Sequence, residues 1–466
     1  MRNLILSLIP VMALFSLTGC QKETTSHNEE VVPALLQQKA FNSNLAYELV
    51  ESLTVEVGPR LAGSEKDPIA VEWAIKQLTS LNFDRVYKEP VQVPVWQRGD
   101  AKASITSPYP QPLVITALGG SIGTPPDGII ASIARFDSLG SLEKATPEEV
   151  SGKIVFIDQL TERHKTSKGY VKSAAARLHG ASVAAHKGAL AVINRTVGTS
   201  QNRIAQTGMV KYQDGINKIP AVAISSPDAE LINAMLRRSN DVKIKLHLSS
   251  KSMGFTTSFN VIAEVTGSNK PEEIVLISAH LDSWDEGTGA SDDGAGIAIV
   301  TAAAKLIQDL PTKPARTVRV VLYAAEEVGY FGARAYAKEH QAELDKHYIA
   351  AESDFGAAPV YQIDFGINNA NFAEVIQLVQ PMTGNGIALG NNSSTGGPDV
   401  SFLHKKGVPV ASLRQDGTDY FDYHHSPNDT LDKIDPEALQ QNVAAYAQFA
   451  YLMAQSEFDL RPITAD

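Results

Sequence analysis

Apolar residues in this chain fall into two kinds of run. Some are short and nearly continuous, and others recur at helical spacing with polar residues between them. The continuous runs at 274–279, 318–325, 348–351 and 408–413 predict buried strands. The amphipathic runs at 297–310, 332–340 and about 436–454 predict helices between and after them. Near-continuous apolar strands separated by helices imply a mostly parallel mixed sheet sandwiched by helices, an α/β fold. Helical spacing over 46–53 and 69–81, interrupted by the turn residues 58–64, adds two earlier helices, and 86–95 alternates like a strand. Between about 103 and 248 the strands shorten and turns multiply. Residues 153–157 and 189–193 read as buried strands there, with a helix over 173–187 between them. The sheet domain is therefore expected over 33–102 and 251–466, with a separate domain inserted at 103–250.

The N-terminus follows a different pattern. Arg2 precedes an apolar stretch at 4–14 that is short for a membrane span, and residues 1–19 read as an export signal. It ends in Leu17-Thr18-Gly19-Cys20, which resembles the lipobox at which bacterial lipoproteins are cleaved and acylated. Cys20 is the single cysteine of the chain, so no intrachain disulfide competes for it. Gln21 in the next position resembles the outer-membrane sorting pattern, which implies the periplasmic side of the outer membrane. Residues 20–32 are polar, without a hydrophobic period, and suit a tether.

With 466 residues, 43% of them hydrophobic, the chain can bury more than one core. Its net charge of −11 is spread without a basic stripe, which excludes nucleic acid as a partner.

The chemistry lies mostly at the ends of the apolar runs. His280-Leu281-Asp282 follows the first, and Gly289 to Gly294 then carries Asp292-Asp293 before a helix. Glu326-Glu327 ends the run 318–325, Asp354 follows 348–351, and His424-His425 comes near the end. Imidazoles and carboxylates are ligands for zinc, and an α/β fold collects such groups at the carboxyl ends of its parallel strands. The pattern reads as a metal-dependent hydrolase. Asp282 can hold the second ring nitrogen of His280 if the chain turns sharply after the strand. Asp292 and Asp293 read as helix caps or as ligands. Two adjacent carboxylates leaving a buried strand are unfavourable without a cation or a raised pKa. One of the Glu326-Glu327 pair can bind metal while the other takes a proton from water. Asp354 reads as a ligand or a surface acid. One of His424 and His425 reads as a ligand, with the other structural alongside Asp429, and Asp399 reads equally as a cap for a helix over 401–406.

Taken in order, these motifs resemble the co-catalytic di-zinc exopeptidases of family M28, over about 33–100 and 255–457. The resemblance implies a zinc-aminopeptidase-like fold and two Zn2+ per chain. His280 and Asp354 would bind one ion, Glu327 and His425 the other, and Asp292 would bridge them. It makes Glu326 the general base, Asp282 the residue that orients His280, and the Asp292–Asp293 peptide bond cis. The inserted segment resembles a protease-associated domain. The implied activity is hydrolysis of short peptides or dipeptides by water activated between the metals, as an aminopeptidase, dipeptidase or carboxypeptidase. Arg60 and Arg414 are candidates for binding a terminal carboxylate. A non-catalytic binding protein on the same fold and a glutaminyl-cyclase-like di-metal enzyme are the alternatives. Membrane contact is expected only through a lipid on Cys20, and a homodimer is compatible with the sequence.

Overall fold

The computed structural model describes residues 22–461, so the export signal, Cys20 and Gln21 lie outside the described residues. Two eight-stranded sheets organise the rest. At the centre of the first, strands Arg316–Tyr323, Lys270–His280, His347–Glu352 and Val410–Gln415 run side by side and parallel. Antiparallel strands flank this centre. Lys251–Val265 pairs with Arg316–Tyr323 and also with Arg85–Gln97, and Val360–Gly366 pairs with Val410–Gln415. The parallel reading therefore holds for the central strands, and the whole sheet is mixed. The sequence did not mark Lys251–Val265, because its first half is exposed and only its second half is buried.

Burial on both faces explains the continuous apolar runs. In Lys270–His280, Val275, Ile277 and Ala279 pack on one side against the helices Ala295–Gln308 and Pro436–Gln455. Ile274 and Leu276 point the other way, towards Tyr336 and Leu403. A strand covered on both faces leaves no polar positions to alternate. The N-terminal helix Lys22–Phe41 starts within the stretch expected as a tether, and Pro33, Leu36 and Ala40 in its second half are buried.

The second sheet is drawn from Ala101 to Leu248. It orders Gln111–Leu113, Ala101–Ser107, Lys243–Leu248, Ile129–Phe136, Ile154–Ile157, Ala191–Arg195, Ala221–Ile224 and Ile115–Ala117. It has its own core, around Phe156, Ile193, Val222 and Ile244. The helix Lys168–His186 crosses between Ile154–Ile157 and Ala191–Arg195, starting five residues before the helical spacing suggested. No helix among the described residues is long and apolar enough to cross a membrane.

One local device fixes the loop that follows Arg316–Tyr323. Buried Asn260 accepts from Ala324 N at 2.9 Å and donates to Gly332 O at 3.0 Å, clamping both ends of the segment that holds Glu326 and Glu327. A Cβ on Gly332 would meet Asn260 Oδ1 at 2.4 Å and the Ala324 backbone at 2.5 Å. Gly332→Ala is therefore expected to destabilise the protein by about 1–3 kcal/mol through overpacking, read as a lower denaturant midpoint. An unchanged midpoint would show that the clamp yields freely.

Candidate metal centre

Three of the parallel strands deliver their chemistry at the same edge. Lys270–His280 ends on His280, Arg316–Tyr323 leads into Glu326 and Glu327, and His347–Glu352 leads into Asp354. His280 Nε2 lies 3.1 Å from Asp292 Oδ1 and 3.4 Å from Asp354 Oδ1. His425 Nε2 lies 3.2 Å from Asp292 Oδ2 and 3.0 Å from Glu327 Oε2. Asp292 thus offers one oxygen to each group. The structure brings His280, Asp292, Asp354, Glu327 and His425 together, with Glu326 on the wall of the same cavity.

The main chain around these groups is pinned. The Asp292–Asp293 bond is cis, as the resemblance implies. Asp293 Oδ2 accepts from His280 N at 3.0 Å and its Oδ1 from Gly296 N at 3.1 Å, so this acid builds the loop and is turned away from the cluster. Asp429 accepts from Ser291 N at 2.7 Å and Asp292 N at 3.0 Å. Asp282 acts in two ways. Its carbonyl oxygen is 3.0 Å from His280 Nδ1, closer than its carboxylate at 3.5 Å, and that carboxylate accepts from Glu326 N at 3.0 Å. The residue expected to orient His280 through its side chain therefore does so chiefly through its backbone, and its side chain places Glu326.

Electrostatics show what this cluster needs. Burial, followed by the charge of Asp292, pushes Glu327 up to about 7, and one of its oxygens has no hydrogen-bond partner among the described residues. Burial also raises Glu326 well above the carboxylate range, with Asp354 and Glu327 adding to the effect. Asp292 goes the other way. Burial opposes its ionisation, yet His280 and His425 outweigh burial and hold it well below its ordinary value. Crowded carboxylates and imidazoles with oxygens to spare are a donor set that fits divalent cations.

Several residues carry roles that the sequence did not reveal. His424 stacks on His425 at 3.5 Å between ring centroids, and its Nε2 is 3.4 Å from Asp292 Oδ2, so it faces the cluster as well. Arg60, a candidate for a terminal carboxylate, is fully buried. It donates to the carbonyls of Leu281, Thr288 and Gly289 at 2.6, 2.8 and 3.0 Å, so that candidacy fails. Arg414 lines the cavity but is ion-paired with Asp364. Asp399 does not cap the helix Ser401–His404. Its buried carboxylate has no hydrogen-bond partner among the described residues, while its backbone N donates to Glu352 at 2.9 Å. Such roles depend on loops meeting across the fold, which no local spacing encodes.

The cavity holds about 600 Å³ and has two walls. One carries the cluster with Tyr330 and Phe355. The other is the helix Lys168–His186 of the second sheet's layer, which contributes Tyr170, Ala174, Arg177 and Leu178. Atoms of that layer also grip the histidine loop. Gln206 Nε2 donates to the carbonyls of Phe421 at 3.0 Å and His424 at 2.7 Å, and Thr207 N donates to His425 O at 2.8 Å.

Comparison with known proteins agrees with this geometry. Residues 260–450 match the profile described as Peptidase family M28. The chain is 37% identical over 441 residues to carboxypeptidase Q of Mus musculus, covering 94% of this chain and 92% of that protein. It is similar to the solved structure of a peptidase M28 precursor from Shewanella amazonensis, with 63% identity, 94% of this chain and 100% of that chain covered, and a TM-score of 0.93. A zinc aminopeptidase from Bacillus subtilis shares the fold at 21% identity and a TM-score of 0.61, over 87% of this chain and 94% of its own. The chain belongs to peptidase family M28 and is a metallo-exopeptidase.

Proposed function

We propose that this protein is a di-zinc exopeptidase that hydrolyses short peptides. His280 and Asp354 would hold one ion, Glu327 and His425 the other, and Asp292 both. The observation that carries this reading is the division of Asp292, whose Oδ1 faces His280 while its Oδ2 faces His425. When bound, two such cations supply Lewis acidity that polarises a carbonyl and acidifies water. The chain's own residues do the rest. Glu326, fixed through its backbone by Asp282, accepts the proton of the attacking water and returns it to the leaving amine nitrogen. Tyr330, Phe355 and Tyr170 line the cavity and limit bulk water around the reacting bond. A binding protein without catalysis has no use for Glu326 in this position. The segment 103–250, with its own sheet and core, would be a protease-associated insertion. Residues 1–19 would direct export, and Cys20 would carry the lipid.

Metal analysis of the purified protein should find close to two zinc ions per chain, and exhaustive chelation should abolish peptide hydrolysis until zinc is restored. A single tight ion, or full activity after chelation, would reject the di-zinc assignment.

Glu326→Gln should keep both ions while kcat falls by about 10²–10⁴-fold with little change in KM, since an amide cannot take the proton. Near-native turnover in this variant would remove Glu326 from the mechanism.

Wild-type protein should partition into detergent, and Cys20→Ala should release it from the membrane fraction. Stable anchoring needs more than one acyl chain, so intact-mass analysis should show the full lipoprotein modification. A soluble wild-type protein that starts elsewhere would refute the anchor.

A further inference from the structure

Arg177 is a buried cation without an acid to match it. It lies on the helix Lys168–His186, its side chain is 5% exposed, and it belongs to the wall of the metal-centre cavity. Guanidinium carries five N–H donors. Here Nη1 donates to Thr207 O at 3.2 Å and lies 3.5 Å from His425 Nδ1, Nη2 donates to the Tyr170 hydroxyl at 2.8 Å, and Nε has no partner among the described residues. Arg177 forms no ion pair with a carboxylate among the described residues, whereas Arg414 and Lys165, nearby, are paired with Asp364 and Asp416. A buried charge left unpaired is costly, and an enzyme retains one where a ligand brings the opposite charge.

We infer that Arg177, together with the Tyr170 hydroxyl, receives the free α-carboxylate of the substrate, so that short peptides with an unblocked C-terminus, dipeptides foremost, are preferred. The inference rests on the peptidase reading above. In a dipeptide the carboxylate carbon is two bonds beyond the scissile nitrogen, so its cation must share the cavity with the metal cluster. Arg177 does so, beside His425. Tyr170 accepts from Arg177 and keeps its own proton to donate. Its ring stacks on Phe421 at 4.6 Å, which holds the hydroxyl in place. The residue that selects the substrate terminus thus comes from the segment that carries none of the cluster ligands.

The test compares zinc-loaded protein acting on alanyl-alanine and on alanyl-alaninamide, which differ only in that charge. Wild type should favour the acid by about 10–100-fold in kcat/KM, the scale of a charge-assisted hydrogen bond. Arg177→Gln should bring this ratio close to one with its zinc content retained. Arg177→Lys should keep part of the preference, and Tyr170→Phe should lose part of it. Equal cleavage of acid and amide by wild type, or an unchanged ratio in Arg177→Gln, would overturn the assignment. Should Arg177→Gln lose its metal, the wild-type ratio and the Arg177→Lys and Tyr170→Phe variants still decide the matter. Wild type that cleaves neither compound, yet holds two zinc ions, would reject the peptidase reading and this inference with it.

Discussion

The structure is arranged around one electrostatic constraint: acids that the chain alone stabilises poorly must converge within a few ångströms of one another. Asp292, Glu327 and Asp354 face two imidazoles with less solvent than free carboxylates need. Removing carboxylates from water costs several kcal/mol each unless an opposite charge arrives, and cations are the economical source of it. The upward shifts of Glu326 and Glu327 express the same cost. Without a rigid frame, the cluster would relieve this repulsion by spreading apart.

The frame consists of polar residues that spend their bonding capacity on backbone. Asp429 accepts from the backbone N–H groups of Ser291 and Asp292, Asp293 accepts from those of His280 and Gly296, and Arg60 donates to three carbonyls between Leu281 and Gly289. Asp282 links His280 to Glu326. These residues bond the main chain of the cluster and of the segments beside it, and so fix its geometry. Ala325 and His425 adopt positive φ at 58°, a conformation ordinarily costly for residues with a side chain, next to Glu326 and within the histidine pair. Strain in these two places fits a frame that holds side chains where local preference would not.

Three positions of the cluster were legible in the sequence because they sit beside apolar runs whose burial fixes them, while Asp292 was marked by its glycine-rich loop and His425 by the adjacent histidine. His280 ends one strand covered on both faces, and Glu327 and Asp354 follow two others, so their place at one edge of a parallel sheet comes with the fold. Among the supporting residues, Asp282 and Asp429 were legible as neighbours of the histidine motifs, and Arg60 was not. Arg60 lies in a turn more than two hundred residues before the carbonyls it binds, and nothing in Gly58-Pro59-Arg60 distinguishes it from a surface cation. Lys251–Val265 was missed for a related reason. Its first seven residues are all exposed, so no inward face marks them, and only their pairing with Arg85–Gln97, far away in sequence, makes them a strand.

The second sheet's layer changes what the cluster can be. His425 follows a loop whose carbonyls are gripped by Gln206 and Thr207, and Arg163 ion-pairs with Asp419 and Asp422 in the same loop. A residue facing the metal cluster is therefore positioned partly by a layer that supplies no acid or imidazole to that cluster. The same layer closes the cavity with Tyr170 and Leu178. Packing that orders the loop and packing that shapes the substrate space are then one set of contacts. Gln206, whose amide holds two carbonyls of the histidine loop, acts on the position of His425, whereas Arg177 on the facing helix acts on the space the substrate enters.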